Sequence, residues 1–223
     1  MSDTVRLIEV KEDILADNNA MAKALNDELT QSKTCLVNLM ASPGAGKTTT
    51  ILATLEKIKN DLKVGVMEAD IDSMVDAEKI AASGTEAIQI RTGGFCHMDA
   101  TMVRTGLEAM DFGRFDLVIL ENVGNLVCPA EFETGAHINA MILSVPEGDD
   151  KPLKYPLMFS ICQVLLINKI DYLELSDFNL DLFRQRVLSI NPNITIFEIS
   201  SRTGQGIGPW ADWLKDRVKT ITK

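Results

Sequence analysis

Two short runs in this chain have the residue types and spacing to hold a nucleotide. The first is Ala41-Ser42-Pro43-Gly44-Ala45-Gly46-Lys47-Thr48. It matches the phosphate-loop pattern G-x-x-x-x-G-K-S/T except at its first position, where Ala41 stands for glycine. In such a loop Gly44 and Gly46 let the backbone approach the phosphates and turn its N–H groups inward, with Ala45 and Thr49 in the same binding set. Lys47 reaches the β and γ phosphates, and the Thr48 hydroxyl holds Mg²⁺. The second run is Asn168-Lys169-Ile170-Asp171, the N-K-x-D pattern. The Asp171 carboxylate can accept from both guanine N1–H and the N2 amine, a donor pair that adenine lacks. Taken singly, the first run also fits an ordinary Gly-rich turn and the second a polar turn. Together, each at the end of an apolar run, they predict a guanine-nucleotide site.

Further residues fit around that site. Glu121 ends the run Leu117-Val118-Ile119-Leu120 and precedes Gly124, a D-x-x-G-like switch with Glu in place of Asp. Its carboxylate can orient magnesium-bound water. Asp70, at the end of another apolar run, is the other candidate magnesium carboxylate. Asp72 fits either polarisation of the attacking water or a helix N-cap. Ser200-Ser201-Arg202 resembles an S-A-K element in which Ser201 and Arg202 contact the guanine. Lys47, Asp70, Asp72 and Glu121 are the candidate catalytic groups.

A third constellation is Cys96-His97 together with Cys128. Thiolate and imidazole suit Zn²⁺ and Ni²⁺. One chain offers three ligands, and a two-fold dimer doubles them. Read by spacing alone, the same cysteines also fit small buried residues. Cys35 and Cys162 lie in or beside apolar runs and read as core. His137 reads as a surface or packing residue.

Elements must position these groups. Apolar runs at 35–40, 63–70, 87–91, 115–121, 138–145, 163–169 and 194–200 alternate with helical patterns. Helices are predicted at 48–60, 73–82, 97–110, Pro152 to Ser160, Asp177 to Leu188 and Gly206 to Val218, the last docked by Trp210 and Trp213. Such near-continuous apolar strands predict an α/β P-loop NTPase fold, a mainly parallel sheet covered by helices on both faces. Residues 1–33 read as an N-terminal amphipathic helix, with Ile14, Met21, Leu25 and Leu29 at helical spacing, packed on a single domain at 34–223.

Composition narrows the function classes. The chain has 223 residues, 46% hydrophobic, with a formal net charge of −10. That charge disfavours nucleic acid as a partner. No apolar run approaches the ~18 residues of a membrane span, and the charged N-terminus lacks a signal-peptide core. A cytoplasmic location without membrane partners is expected, with the four cysteines as thiols or metal ligands.

The stretches Glu121 to Phe132 (ENVGNLVCPAEF), Ser144 to Pro156 (SVPEGDDKPLKYP) and Thr92 to Ala100 (TGGFCHMDA) resemble the hydrogenase nickel-incorporation GTPases, the maturation factor B family. The resemblance runs from about Leu36 to Trp213. It implies a homodimeric GTPase that couples GTP hydrolysis to GDP, assisted by Mg²⁺, to nickel delivery into the large-subunit precursor of nickel–iron hydrogenase. A small zinc- and nickel-binding protein, maturation factor A, would be its partner. The family's Ni²⁺ or Zn²⁺ site maps onto Cys96, His97 and Cys128, its phosphate loop onto Gly44 to Thr48, and its base motif onto Asn168, Lys169 and Asp171. The chain departs from many members in having no Cys or His before Cys35, hence no N-terminal CxxCGC motif or His-rich stretch. Ala69 and Arg91 are further departures, beside the switch. A urease-type nickel chaperone, an ATPase and a metal-binding scaffold with a purely structural nucleotide are the rival readings.

Overall fold

The computed structural model describes residues 10–71 and 74–223, with side chains from Leu15 onward. Asp72 and the Ile14 side chain lie outside the described residues. Seven strands form one sheet: β1 (Cys35–Ala41), β2 (Val64–Asp70), β3 (Glu86–Arg91), β4 (Leu117–Glu121), β5 (Ile138–Ser144), β6 (Val164–Asn168) and β7 (Thr195–Glu198). Their order is β3-β2-β4-β1-β5-β6-β7, and every pairing is parallel. The chain leaves β1 toward β2 on one side, while β5 flanks β1 on the other. The C-terminal end of β1 is therefore the crevice where an α/β sheet binds ligands.

Helices α1 (Val10–Gln31), α2 (Lys47–Ile58), α3 (Val75–Ala82), α4 (Ala100–Met110), α5 (Cys128–Glu131), α6 (Lys151–Lys154), α7 (Pro156–Ile161), α8 (Leu180–Ile190) and α9 (Ile207–Ile221) cover the sheet. Strand alternation sorts the core into layers. Val37, Leu39, Ile119 and Leu166 pack with Ile51 and Leu55 of α2 and with Trp210 and Leu214 of α9 on one face. Leu36, Val118 and Leu120 meet α1 and α4 on the other. Met40, Met141 and Leu165 meet α7 and α8 farther along that second face. Trp210 stacks on Trp213 and donates its indole N–H to Thr54 Oγ1 at 3.0 Å, which docks α9 on α2.

Three local expectations are corrected. The helix predicted over Pro152 to Ser160 breaks at Tyr155 (φ −130°, ψ 51°), dividing into α6 and α7. Pro156 has no N–H to continue the ladder and pushes the residue before it out of the helical region. The buried stripe of α1 runs through Ala22, Leu25 and Leu29, and Met21 is exposed. Asn18 extends that stripe, accepting from Ala100 N at 2.9 Å and donating to the Glu133 carbonyl at 2.9 Å. Finally, α4 begins at Ala100 rather than His97, because the Asp99 side chain accepts from Met102 N and caps it. Cys96 and His97 are thereby left in the loop before the helix.

Candidate nucleotide and metal sites

The turn after β1 is built by two glycines in the left-handed region, Gly44 (φ 76°) and Gly46 (φ 98°). A Cβ on Gly46 would stand 2.6 Å from Asn168 Nδ2, so glycine there is required twice over. Ala41 closes β1 and is not among the positive-φ residues, which is why a side chain is tolerated at the pattern's first position. Lys47 opens α2, so the first turn of that helix points its N–H groups into the loop.

The base motif is strapped to this loop. Asn168 Nδ2 donates to the Ala45 carbonyl at 2.9 Å, and Lys169 Nζ donates to the Gly44 carbonyl at 2.7 Å. Asn168 Oδ1 accepts from Ser201 N and Ser201 Oγ, each at 3.1 Å. Ser201 Oγ also shares a hydrogen bond with Thr50 Oγ1 at 2.7 Å. These contacts frame a cavity of about 250 Å³ lined by Gly46, Thr49, Asp171, Tyr172, Ser201 and Arg202 among others. Asp171 Oδ1 is buried with no hydrogen-bond partner. An orphaned carboxylate oxygen in a cavity is costly unless a ligand supplies a donor, and guanine supplies two. Ser201 thus braces Asn168 as well as lining the cavity, and Arg202 is an exposed residue at the cavity wall.

On the α2 face of β4, Glu121 Oε1 accepts from Thr48 Oγ1 at 3.0 Å. The strand register sets Glu68 of β2 directly beside Glu121. Glu68, Asp76 of α3 and Glu121 bring carboxylate oxygens within 4.8 Å of one another. Burial, then Glu121, pushes the Glu68 carboxyl up to about 10, and burial raises Glu121 as well. Glu68 Oε2 and Glu121 Oε2 are buried without partners. Orphaned carboxylate oxygens gathered beside a threonine hydroxyl fit a hard divalent cation. Asp70 lies on the same face as Glu68, one strand repeat nearer the sheet edge; it is not part of the 4.8 Å group. Sequence reasoning passed over Glu68 and Asp76. Glu68 is hidden inside an apolar strand, and only the β2–β4 register reveals its neighbour.

The third constellation assembles at the same sheet edge, from the segments following β3 and β4. Cys96 Sγ lies 2.9 Å from Cys128 Sγ and 3.8 Å from His97 Nδ1. All three ligand atoms fall within 4.8 Å of one another, and each residue is half-buried. The loop is held by Thr92 Oγ1 donating to the Phe95 carbonyl at 2.7 Å, and by Gly93 and Gly94 at positive φ. Asn125 Oδ1 accepts from Val127 N at 2.9 Å while its Nδ2 donates to the Cys96 carbonyl at 3.4 Å. The His97 ring stacks on Phe132 at 3.9 Å, and burial lowers its basicity. A neutral imidazole is the form that ligates a metal. The Cys128 thiol is raised, first by its hydrogen bond with Cys96, so a metal entering the cluster must displace its proton. Cys35 and Cys162 are buried and free, their thiols raised by desolvation. His137 touches neither site.

This fold and this site define a P-loop nucleotide-binding protein with a thiol–imidazole cluster at its ligand edge. The profile described as "CobW/HypB/UreG, nucleotide-binding domain" matches residues 35–198. The hydrogenase maturation factor HypB of Escherichia coli (strain K12) is 40% identical over 210 residues, covering 94% of this chain and 72% of the relative. The hydrogenase/urease maturation factor HypB of Helicobacter hepaticus is 36% identical, covering 94% of this chain and 88% of the relative. The crystal structure of HypB from Helicobacter pylori in complex with nickel superimposes with a TM-score of 0.88 at 32% identity, covering 93% of this chain and 97% of that one. The chain belongs to the HypB family of hydrogenase maturation factors. Among the described residues no helix is long and apolar enough to cross a membrane.

Proposed function

We propose that this protein is a GTP-hydrolysing metallochaperone that couples its GTPase cycle and dimerisation to nickel delivery during nickel–iron hydrogenase maturation. One observation carries the reading. The single segment 121–128 has Glu121 hydrogen-bonded to Thr48 of the phosphate loop at one end, and Cys128 in contact with Cys96 at the other. A displacement of that segment by nucleotide therefore moves a metal ligand. The family match and the nickel complex of the Helicobacter pylori relative support the choice of cargo.

In this reading Asp171 selects guanine, the loop amides and Lys47 hold the phosphates, and Thr48, Glu121 and Asp70 hold Mg²⁺, with Glu68 and Asp76 beside them. Bound magnesium supplies neutralisation of phosphate charge. Asp72 is our candidate for polarising the attacking water. Water adds to the γ-phosphorus as the bond to the β-phosphate oxygen breaks, giving GDP and phosphate. Cys96, His97 and Cys128 take Ni²⁺, in competition with Zn²⁺, and a second copy of the chain supplies the remaining coordination. Phe95 and Val127 flank the cluster as exposed apolar side chains, a surface that a partner copy would cover. Maturation factor A and the hydrogenase large-subunit precursor are the proposed partners, in the cytoplasm. The Helicobacter hepaticus relative is named for urease as well, which favours urease as a second recipient reading.

Phosphate release from GTP and from ATP tests the enzymatic half. GTP turnover is expected to be slow, because no water-orienting glutamine or arginine finger is evident among the described residues, and ATP turnover to be absent. Equal rates with the two nucleotides would overturn the guanine assignment. Absence of phosphate release from the nickel-loaded protein would favour a scaffold with a structural nucleotide.

A further inference from the structure

On the face of the sheet opposite Glu121, three asparagines form a line, buried at Asn122 and Asn38 and half-buried at Asn139. Asn122, the residue after Glu121, is fully buried, and so is Asn38 of β1. Asn122 Oδ1 accepts from Met98 N at 3.2 Å and from Val123 N at 2.9 Å. Asn122 Nδ2 donates to Asn38 Oδ1 at 3.0 Å, and Asn38 Nδ2 donates to Asn139 Oδ1 at 3.1 Å. Two backbone N–H groups can only donate, so they fix the orientation of the Asn122 amide. That amide fixes Asn38, and Asn38 fixes Asn139. The line separates the apolar cluster under α1 and α4 from the one under α7 and α8.

One end of this line is the metal loop. Met98 follows His97 directly and is fully buried, so its amide is the loop's anchor next to the ligands. Asn122 N donates to the Leu39 carbonyl at 3.0 Å, which fixes the residue to the strand that leads into the phosphate loop. Alternation along β4 thus places a contact to the P-loop threonine and a contact to the metal loop on consecutive residues, one on each face.

We propose that Asn122 is the positioning residue through which the nucleotide state reaches Cys96 and His97. The proposal rests on the nickel-delivery reading above. When the nucleotide shifts Glu121, the Asn122 backbone moves with it. The rigid amide line lets Asn122 transmit that shift to the Met98 N–H rather than rotate to absorb it. Asn122→Ala removes the acceptor while leaving Thr48, Glu121 and all three metal ligands in place.

The test is titration of the full-length wild type and of Asn122→Ala with Ni²⁺, in GDP and in a non-hydrolysable GTP analogue. Wild type is expected to show a ratio of nickel affinities between the two states of about fivefold or more, falling to about one in the variant, with nickel still bound. A variant that keeps the wild-type ratio overturns the role of Asn122 and leaves the nickel reading standing. A wild-type ratio of about one overturns both. Should Asn122→Ala fail to fold, hydrogen exchange of the Met98 amide in wild type decides. A change of about tenfold or more between nucleotide states supports the proposal, and equal exchange overturns it.

Discussion

The ammonium of Lys169 donates to the carbonyl of Gly44 at 2.7 Å, so the lysine of the N-K-x-D run, two residues before Asp171, also closes the phosphate loop. Lys169 holds this reach from a left-handed backbone (φ 62°), an unusual conformation for a residue with a side chain. Lys169→Ala is expected to loosen the loop and weaken GDP and GTP binding by roughly tenfold to a hundredfold, the worth of one charge-assisted hydrogen bond. The preference for GTP over ATP should survive, because Asp171 is untouched. Competition titrations with the two triphosphates check both statements.

Asp171→Asn is the complementary change. It replaces an acceptor-only carboxylate by an amide that presents a donor to the guanine N–H groups. GTP affinity is expected to fall by roughly a hundredfold or more, and discrimination against ATP to fall with it. Folding stability should be kept or raised, since the substitution removes a buried, unpartnered carboxylate oxygen. Nucleotide titration and thermal melting separate the two effects.

Gly46→Ala tests the phosphate loop by shape. At φ 98° the new Cβ meets Asn168 Nδ2 at 2.6 Å, so both the backbone and the base motif must shift. A destabilisation of roughly 1–3 kcal/mol and loss of measurable nucleotide binding are expected. Ala41→Gly, at the position where the pattern ordinarily has glycine, should leave nucleotide affinity close to wild type.

These two positions also show what the sequence could reveal. Gly44 to Thr48 and Asn168 to Asp171 are contiguous, and each follows a strand, so their chemistry is readable one residue at a time. The five inner strands are equally readable, being buried almost throughout and mainly apolar, whereas the edge strands β3 and β7 are only half-buried. Glu68 and Asp76 escaped because their meaning depends on which strand lies beside β2. The Asn122, Asn38 and Asn139 line escaped for the same reason: it crosses three strands whose order, β4-β1-β5, differs from chain order. The break at Tyr155 was legible, since Pro156 carries its own local rule. Met21 is apolar and at helical spacing from Leu25, yet Ala22, three residues before Leu25 and seven before Leu29, is the residue turned inward.

His137 provides a pH-dependent signature away from both sites. Its Nδ1 accepts from Leu36 N at 3.1 Å, and its Nε2–H donates to Thr30 Oγ1 at 3.0 Å, tying the end of α1 to β1. Only the neutral ring can do both. Burial lowers the folded-state value below the ordinary 6.5, so between the two values the unfolded chain holds more protons than the folded one. This contribution to stability is full above 6.5 and is lost as pH falls through the lower folded value. Urea midpoints at about pH 8 and about pH 5 should therefore differ less in His137→Asn than in wild type. An unchanged difference would remove His137 from the account.

The claim that nucleotide and nickel are coupled is tested most directly by titrating Ni²⁺ into wild type and Cys96→Ala, each with GDP and with a non-hydrolysable GTP analogue. Nickel affinity or stoichiometry in wild type is expected to change with the nucleotide, and the change to vanish in Cys96→Ala. Identical nickel binding in both nucleotide states of the wild type would contradict it, leaving the Cys96, His97 and Cys128 cluster a structural feature of a nucleotide-binding protein.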